Sequence, residues 1–266
     1  MTDLFALCQR WRGGRASYRP SGEVFDHGRA SVELIDEALA KDFVLEHHYS
    51  RSYPAARLRV GLFVRRAFQA ERLEGVAVFS VPMNNAAVPA WFPGLQPAQG
   101  VELGRFVLLD EAEANAETWF QARALRLAAK HLAGLQAVLS YCDPVARTAL
   151  DGTVTAPGHL GTIYRAGNAR SLGLSSPRTL KLLPDGRVAS ERALSKIRTE
   201  DQGAAYASQL LVSAGAPRRL PLESGAAYLQ RIDAAGFFRR IRHPGNLVFG
   251  WDVRRFAPQA SRHSPC

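Results

Sequence analysis

The chain has 266 residues, of which 47% are hydrophobic and 22% charged, and such a composition is typical of a globular protein with a full core. No apolar run is long enough to span a membrane, and the first residues lack the pattern of a secretory signal, so that neither a membrane protein nor a secreted one is expected. Cys8, Cys142 and Cys266 form no CxxC pair, which argues against a disulfide framework or a thiolate zinc site. A reducing cytoplasm is the expected location.

The net charge of +10 is unevenly distributed. Between Arg165 and Arg198 eight lysines and arginines stand against two carboxylates, and between Arg218 and Arg262 nine arginines stand against three. Between Glu102 and Thr118 the sign reverses, with five carboxylates against one arginine. Arginine concentrated in two segments suits bidentate contacts to phosphate, so that a polyanionic partner is favoured over general solubility.

The first elements are an arm and a helix. Residues 1–30 are polar, rich in Gly and Arg, and are expected to be an irregular N-terminal arm. Ser31–Leu45 has apolar residues at helical spacing behind a Ser cap, which predicts a helix. The chain leaves this helix at HHYSRSYP, where Pro54 prevents continuation.

The central elements indicate a mixed sheet. The predicted strands and helices are the hairpin of Arg59–Val64 and Leu73–Pro82, the strand Val101–Leu109, the helix Thr118–Leu132 and the buried strand Ala137–Tyr141. Because a helix connects the last two strands, they are predicted to be parallel. A loop rich in proline is expected at Val88–Gly100.

Two more strands, Leu160–Tyr164 and Arg178–Leu183, are predicted to complete the sheet, joined by the cationic loop GNARSLGLSSPR. Ser190–Val212 is expected to be helical with a break near Gly203, and HPGNLVFGW could add an edge strand. The result is a mixed α/β (α+β) sheet in a domain of residues 31–215, followed by a basic C-terminal extension, 216–266, packed on the core.

Three sets of residues could carry chemistry. In VELGRFVLLDEAEANAETWF a helix N-terminus follows a strand, and such an N-terminus is a natural anion site. Asn115 and Thr118 could contact an anion there, although Glu117 would repel it. Asp143 lies directly past the end of a buried strand, the edge where ligands bind in open α/β sheets, and Tyr164 ends the next predicted strand. The loop HHYSRSY contributes His47, His48, Tyr49 and Tyr53, where imidazole could accept a proton or bind a metal.

Arg105 lies in the middle of a strand between Gly104 and Phe106. Glu102 is three residues earlier and should therefore point to the opposite face of the strand. Arg105 is then left to meet an anionic ligand or Asp143.

Taken together, HHYSRSYPAARLRVGLF, VAVFSVPM, ELGRFVLLDE, DP, GHLGTIYRAGNARSLG and RTL…LPDGRVASERALSKIR resemble the bacteriophage Mom family of DNA adenine-modifying proteins. The resemblance implies a GNAT-like acyltransferase fold adapted to duplex DNA. It also implies transfer of a carbamoylmethyl (glycinamide-type) group to the exocyclic amine of adenine, which protects phage DNA from host restriction. The expected location becomes the cytoplasm of a phage-infected or prophage-bearing bacterium.

The resemblance also implies roles for individual residues. His48, Tyr49, Asp143 and Tyr164 match the family's catalytic positions, and Arg105 and Thr118 its ELGR arginine and its hydroxyl at the helix start. Together with Asn115, these last two are the expected cofactor-binding residues. Iron, with His48, Tyr49 and Asp143 as ligands, and acetyl-CoA or another donor are the cofactors to consider. The lack of a Gly-rich loop and the ordinary spacing of the ligands leave both open.

The mechanism expected for adenine begins with extrusion of the base from the stack. A neutral His48 or an ionised Asp143 would then take the amine proton, while Tyr164 or Tyr49 would stack on the base, donate a hydrogen bond or ligate a metal. The residues expected to hold DNA phosphates are Arg165, Arg170, Arg178, Lys196 and Arg198. The expected partners are double-stranded DNA and a small-molecule donor, with a homodimer left open.

Two other functions share parts of this pattern. A GNAT N-acyltransferase that acts with acetyl-CoA on a protein or small-molecule amine would bind coenzyme A and would not need DNA. A DNA-binding protein without enzymatic activity would protect sites by occupancy alone.

Overall fold

The computed structural model describes residues 7–12, 15–20 and 23–256. These residues form two compact units. The sheet unit contains the described residues up to Cys142, His159–Leu174, and those from Asn246 onward; the helical unit contains Asp143–Gly158 and Ser175–Gly245. The boundaries expected at residues 30 and 215 do not coincide with the boundaries of these units.

The strands in chain order are β1 (Leu7–Arg12), β2 (Arg15–Pro20), β3 (Ala30–Leu34), β4 (Ala56–Val64), β5 (Arg72–Ser80), β6 (Gly100–Leu108), β7 (Ala137–Cys142), β8 (Arg147–Thr148), β9 (Val154–Ala156), β10 (Arg170–Leu174), β11 (Arg178–Leu182), β12 (Arg239–His243) and β13 (Leu247–Asp252). The helices are α1 (Glu37–His47), α2 (Ala87–Trp91), α3 (Ala116–His131), α4 (Thr162–Ala166), α5 (Glu191–Thr199), α6 (Ala204–Ser213) and α7 (Gly225–Ala234).

The sheet unit is built on a seven-stranded sheet of order β10-β13-β7-β6-β5-β4-β3. β6 and β7 are parallel, as expected for strands that a helix connects, and the other neighbours are antiparallel. The mixed α/β sheet expected from the sequence is therefore confirmed, together with the hairpin and the strand–helix–strand unit β6–α3–β7.

Helices cover both faces of this sheet. α3 buries Phe120, Ala124 and Ala128 in the larger core, which includes the inward residues of β4 and β6. α1 packs Phe43 and Val44 on the opposite face, in a separate core with valines of β5. Because β5 contacts an apolar core on each face of the sheet, its sequence is an almost continuous run of apolar residues.

The prediction of a helix over Ser31–Leu45 is wrong for the first residues of this segment. Residues Ala30–Leu34 instead form β3, which pairs with β4 at the edge of the sheet. The helix begins only at Glu37, because the Asp36 side chain accepts a hydrogen bond from the Leu39 N–H at 2.8 Å and caps it there.

The predicted strand Leu160–Tyr164 is also wrong, because this segment forms the short helix α4. Gly161, which precedes the helix, has a φ of +73°, and a side chain at this position would collide with the ring of Phe249. The cationic loop that follows contains β10, which pairs with β13. β13 lies between β10 and β7 instead of at an edge, and Val248, Phe249 and Trp251 are buried there.

The arm expected to be irregular contains a strand pair. β1 and β2 are antiparallel, and the guanidinium of Arg10 is buried, where its Nε donates to Glu117 Oε1 of α3 at 2.8 Å. Ser17 donates to Asp110 at 2.8 Å. The ion pair with α3 therefore holds the arm against the sheet unit.

The helical unit has its own core. α5, α6 and α7 bury Leu194, Ile197, Leu211, Tyr228 and Ile232 together. α5 and α6 confirm the predicted helical segment with a break near Gly203, where φ is +89°. β11 and β12 form an antiparallel ribbon, and β8 pairs with β9. Residues 257–266 of the expected C-terminal extension lie outside the described residues.

Candidate functional site

β6 and β7 separate at the centre of the sheet unit. Their parallel pairing runs from Gly100 opposite Ala137 to Glu102 opposite Leu139, and no further backbone pair joins the two strands where the structure describes them. Ser140 Oγ donates to the Leu103 carbonyl at 3.0 Å across the start of this separation. The gap that opens beyond is where polar side chains gather.

A β-bulge in β6 determines which side chains face the gap. Glu102 pairs with Ser80 and Arg105 with Val78, so that β6 has one residue more than β5 over this stretch. Because Val78 and Ser80 are two residues apart and share a face, Glu102 and Arg105 share a face too. The expectation that they point to opposite faces is wrong, because it holds only for a strand without a bulge.

His48 and Tyr49 come from the loop that follows α1. The His48 ring stacks on the Tyr49 ring at a centroid distance of 4.3 Å. His48 Nδ1 accepts a hydrogen bond from the Ser50 N–H at 3.1 Å, which leaves the proton of the neutral ring on Nε2. Burial, followed by the positive charge of Arg105 and the neighbouring His159, lowers the pKa of His48 to about 3. His48 is therefore neutral at physiological pH.

Arg105 ties this loop to β6. Its Nε donates to the Ser52 carbonyl at 2.8 Å, and its Nη2 donates to Ser52 Oγ at 2.7 Å. Burial lowers the pKa of the guanidinium, whereas Tyr49, Glu102 and Tyr164 oppose that shift. Arg105 is thus both a structural anchor and a positive charge at the gap.

Tyr164 lies on α4, with 7% of its surface exposed. Its ring stacks with His159 at 5.6 Å and meets the edge of Trp251 at 5.5 Å. Burial raises the pKa of the phenol, which shares a hydrogen bond with Ser140 and is influenced by Tyr49 and Glu102. The phenol therefore stays protonated and is held at the gap.

Glu102, like His159, is a residue of this region that the sequence analysis does not predict for the site. It is half-buried, and this burial raises the pKa of its carboxyl to about 7, although Arg105 acts in the opposite direction. We refer to the polar side chains around the separation of β6 and β7 as the gap cluster. Its members are His48, Tyr49, Glu102, Arg105, His159 and Tyr164. Four of these, all but Glu102 and His159, are residues that the sequence predicts for the site.

Asp143 has a different environment, since it begins the helical unit. Its Oδ1 lies 2.8 Å from Nε2 of the fully buried His243, and its Oδ2 pairs with Arg147. The Gly245 N–H donates to His243 Nδ1 at 3.1 Å, so that the neutral His243 carries its proton on Nε2 and donates to Asp143. Although burial alone would raise it, the hydrogen bonds from His243 and Arg147 hold the pKa of Asp143 below its ordinary value.

The residues expected to bind a metal do not fit that role. Both carboxylate oxygens of Asp143 already accept hydrogen bonds, with the Val145 N–H as a further donor at 3.0 Å. His48 Nδ1 is similarly occupied by Ser50. Within residues 7–12, 15–20 and 23–256, no three or more His, Cys, Asp and Glu side chains form a group that could hold a metal ion.

The residues expected to bind coenzyme A at the N-terminus of α3 do not fit either. Glu23 contacts the segment directly before the helix, where its carboxylate accepts from the Ala114 N–H at 3.0 Å. Asn115 donates to the Glu23 carbonyl, and the Thr118 hydroxyl donates to the Asn115 carbonyl at 3.2 Å. Glu23 and Glu117 are themselves paired with Arg19 and Arg10, so that ion pairs and hydrogen bonds of the chain already engage the side chains at this end of the helix. Arg105, the third expected residue, belongs instead to the gap cluster.

The residues expected to bind DNA are divided between the two units. In the sheet unit, Arg165 and Arg170 are exposed and lie on α4 and β10, directly after Tyr164. In the helical unit, Arg178 and Arg198 are exposed and Lys196 is half-buried. Each unit therefore exposes guanidinium groups of its own, a group whose planar donors suit phosphate.

No described helix is both long and apolar enough to cross a membrane. A comparison with curated proteins finds no match. Among solved structures, the chain is similar to a tandem GNAT protein from the clavulanic acid biosynthesis pathway, without AcCoA, at a TM-score of 0.40 and 9% identity over 87% of this chain and 100% of that one. The sequence profile of the Mom protein family matches residues 29–219. This match covers more than half of the chain, and the chain therefore belongs to the Mom protein family.

Proposed function

We propose that this protein transfers a carbamoylmethyl (glycinamide-type) group to the exocyclic amine of adenine in duplex DNA, and so protects phage DNA from restriction. Membership of the Mom protein family indicates DNA modification by a transferase, with DNA as the substrate. The observation that carries the finer proposal is the gap cluster, where His48, Tyr49, Arg105 and Tyr164 meet although they come from separate segments of the chain.

The proposed reaction needs an extruded base, because the adenine amine is inaccessible within a stacked duplex. The stacked His48 and Tyr49 rings offer an aromatic surface to a purine, and the neutral state of His48 avoids repulsion from Arg105. Tyr164 offers a protonated phenol that can donate a hydrogen bond to the base. Arg165 and Arg170 would hold the phosphates that flank the extruded nucleotide.

The donor in this proposal is a small molecule that carries a carbamoylmethyl group on a leaving group. The contacts that already engage Asn115 and Thr118 support a donor other than acetyl-CoA, and the proposed transfer does not depend on coenzyme A or on a metal. Calorimetry of the purified protein with acetyl-CoA tests this point. Tight binding without DNA would favour an acyltransferase that acts on a protein or small amine.

The test of the function is the nucleoside composition of DNA. The protein is co-expressed with a plasmid, the plasmid is digested, and mass spectrometry is used to look for an adenosine derivative with an added carbamoylmethyl group. We expect this derivative with the wild-type protein and at least a tenfold loss with Tyr164→Phe, because the phenol is removed and the ring is kept.

Tyr206→Phe provides the matched control, since Tyr206 lies on α6 and is 71% exposed. This variant should modify DNA like the wild type. An unmodified nucleoside profile with well-expressed wild-type protein would contradict the proposal. If this unmodified DNA resisted restriction with the wild type and with Tyr164→Phe alike, the protein would instead protect DNA by occupancy.

A further inference from the structure

Glu102 is half-buried, and its carboxyl has no hydrogen-bond or ion-pair partner among the described residues, although its backbone carbonyl accepts from Ser80 Oγ at 3.4 Å. Glu74 is fully buried but pairs with Arg66, and Glu117 pairs with Arg10. The carboxyl of Glu102 differs from these two because no such partner holds it in its ionised form.

The position of Glu102 supplies an explanation. It is the last β6 residue paired with β7, so that its side chain stands where the two strands separate. The bulge places Arg105 on the same face, and Tyr141 and Tyr164 are close enough for the carboxylate to affect the pKa of their phenols. Arg105, Tyr141 and Tyr164 are thus the titratable groups that face Glu102, and each stays in one protonation state near neutral pH.

The two groups expected from the sequence to accept a proton are poorly suited to do so. A base whose conjugate acid has a pKa of about 3 holds a proton weakly at pH 7, and this is the state of His48. Asp143 already accepts hydrogen bonds on both oxygens. A carboxyl with a pKa near 7, such as that of Glu102, is matched to proton transfer at physiological pH.

We propose that Glu102 is the catalytic base of the transfer, taking the proton that leaves the adenine amine. This role rests on the function proposed above. The amine nitrogen attacks the methylene carbon of the carbamoylmethyl donor, and the new N–C bond forms as the carbon–leaving group bond breaks. The leaving group departs with that electron pair, the amine proton passes to the Glu102 carboxylate, and solvent then removes it.

The first test compares Glu102→Gln, which keeps the shape of the side chain and removes the base, with Glu33→Gln on the exposed edge strand β3. Plasmid modification is measured by mass spectrometry after short induction, before the substrate saturates. We expect Glu102→Gln to lose about a hundredfold or more of the activity, the size typical of a general base. Glu33→Gln should match the wild type, and the affinity of both variants for a DNA duplex should stay within about twofold of wild type.

Modification by Glu102→Gln at one third of the wild-type level or more would overturn the proposal. If the wild type itself produced no modified nucleoside, the proposed function would fail instead, so that the two failures are distinct. A second measurement does not depend on the folding of a variant. The initial rate of purified wild type on a duplex oligonucleotide, with clarified cell extract as the donor source, should rise with pH through about 7 as Glu102 ionises. A rate that is constant between about pH 6 and 8 would also overturn the role of Glu102.

Discussion

The gap cluster of the sheet unit and the Asp143 group of the helical unit each contain a partly buried carboxylate, but in opposite states. The carboxyl of Glu102 has no hydrogen-bonding partner among the described residues, and burial raises its pKa to about 7. Asp143 receives hydrogen bonds from His243 and Arg147, which overcome the effect of burial and lower its pKa. The difference shows that partners, more than burial, determine whether a carboxylate is available for chemistry. By this criterion we expect Asp143 to contribute to stability and Glu102 to be the carboxylate that reacts.

The largest expected effect comes from Asp143→Ala. This change leaves the buried His243 and the Arg147 guanidinium without their common acceptor, so that we expect a loss of about 3 kcal/mol in the free energy of unfolding, roughly 10 °C in melting temperature. The measurement is thermal or urea unfolding of the purified full chain. Asp151→Ala, at an exposed position of the same unit, is the control and should change the stability by less than about 0.5 kcal/mol.

The comparison would break if Asp143→Ala kept the wild-type melting temperature and still abolished DNA modification. Asp143 would then act in the chemistry, as the family resemblance implies, and its hydrogen bonds would serve to orient it.

An intermediate effect of opposite sign is expected for Glu102→Gln. The pKa of Glu102 is about 7 in the folded protein, against an ordinary value of 4.5. The contribution of the protonated carboxyl to the free energy of unfolding is therefore fully present below pH 4.5 and is lost as the pH rises through 7. Removing the charge should therefore stabilise the protein above pH 7 by about 1 to 2 kcal/mol, an amount that allows for partial contact of the side chain with solvent.

The measurement is the melting temperature of both proteins between pH 4 and 8. Their difference should be smallest below pH 4.5 and should grow to several degrees at pH 8. A difference that does not depend on pH would mean that Glu102 is not perturbed, and the contrast with Asp143 would disappear.

The smallest expected effect is on the salt dependence of DNA binding by the exposed arginines. It tests the two units separately as DNA-binding surfaces. Arg170→Ala in the sheet unit and Arg198→Ala in the helical unit should each lower the slope of log affinity against log salt by about 0.9, the value for one phosphate contact. Arg187→Ala is the control, because Arg187 pairs with Asp185 at 2.6 Å. Fluorescence anisotropy of a labelled duplex between low and high salt measures the slopes. An unchanged slope for one unit would exclude its arginine from the DNA surface.

Much of the sheet unit can be predicted from sequence because its elements are long and regular. α3 shows a clear helical period, and the strands β4 and β5 flank a short polar loop. The segment that became α4 is apolar and short, so that its pattern cannot distinguish a strand from a helix, and the positive φ of Gly161 decides the outcome.

The site is harder to predict because its properties depend on distant contacts. His243 lies one hundred residues from Asp143 in the chain, and no local signal indicates that the two side chains meet. Glu102 was misjudged for a different reason. A bulge adds one residue to a strand and has no distinct sequence pattern. Every residue after the bulge then faces the opposite side of the sheet from the side that a regular strand would give it.

The bulge in β6 has a consequence for the charge balance of the sheet unit. With the additional residue, Gly104, the acid and the cation are three positions apart on one side of the strand. If β6 ran here as a regular strand of the same sequence, residue 105 would point to the face opposite to Glu102. The guanidinium would then no longer act against the rise in the pKa of the carboxyl. One glycine in the bulge thus keeps a cation and an acid on the same side of the sheet.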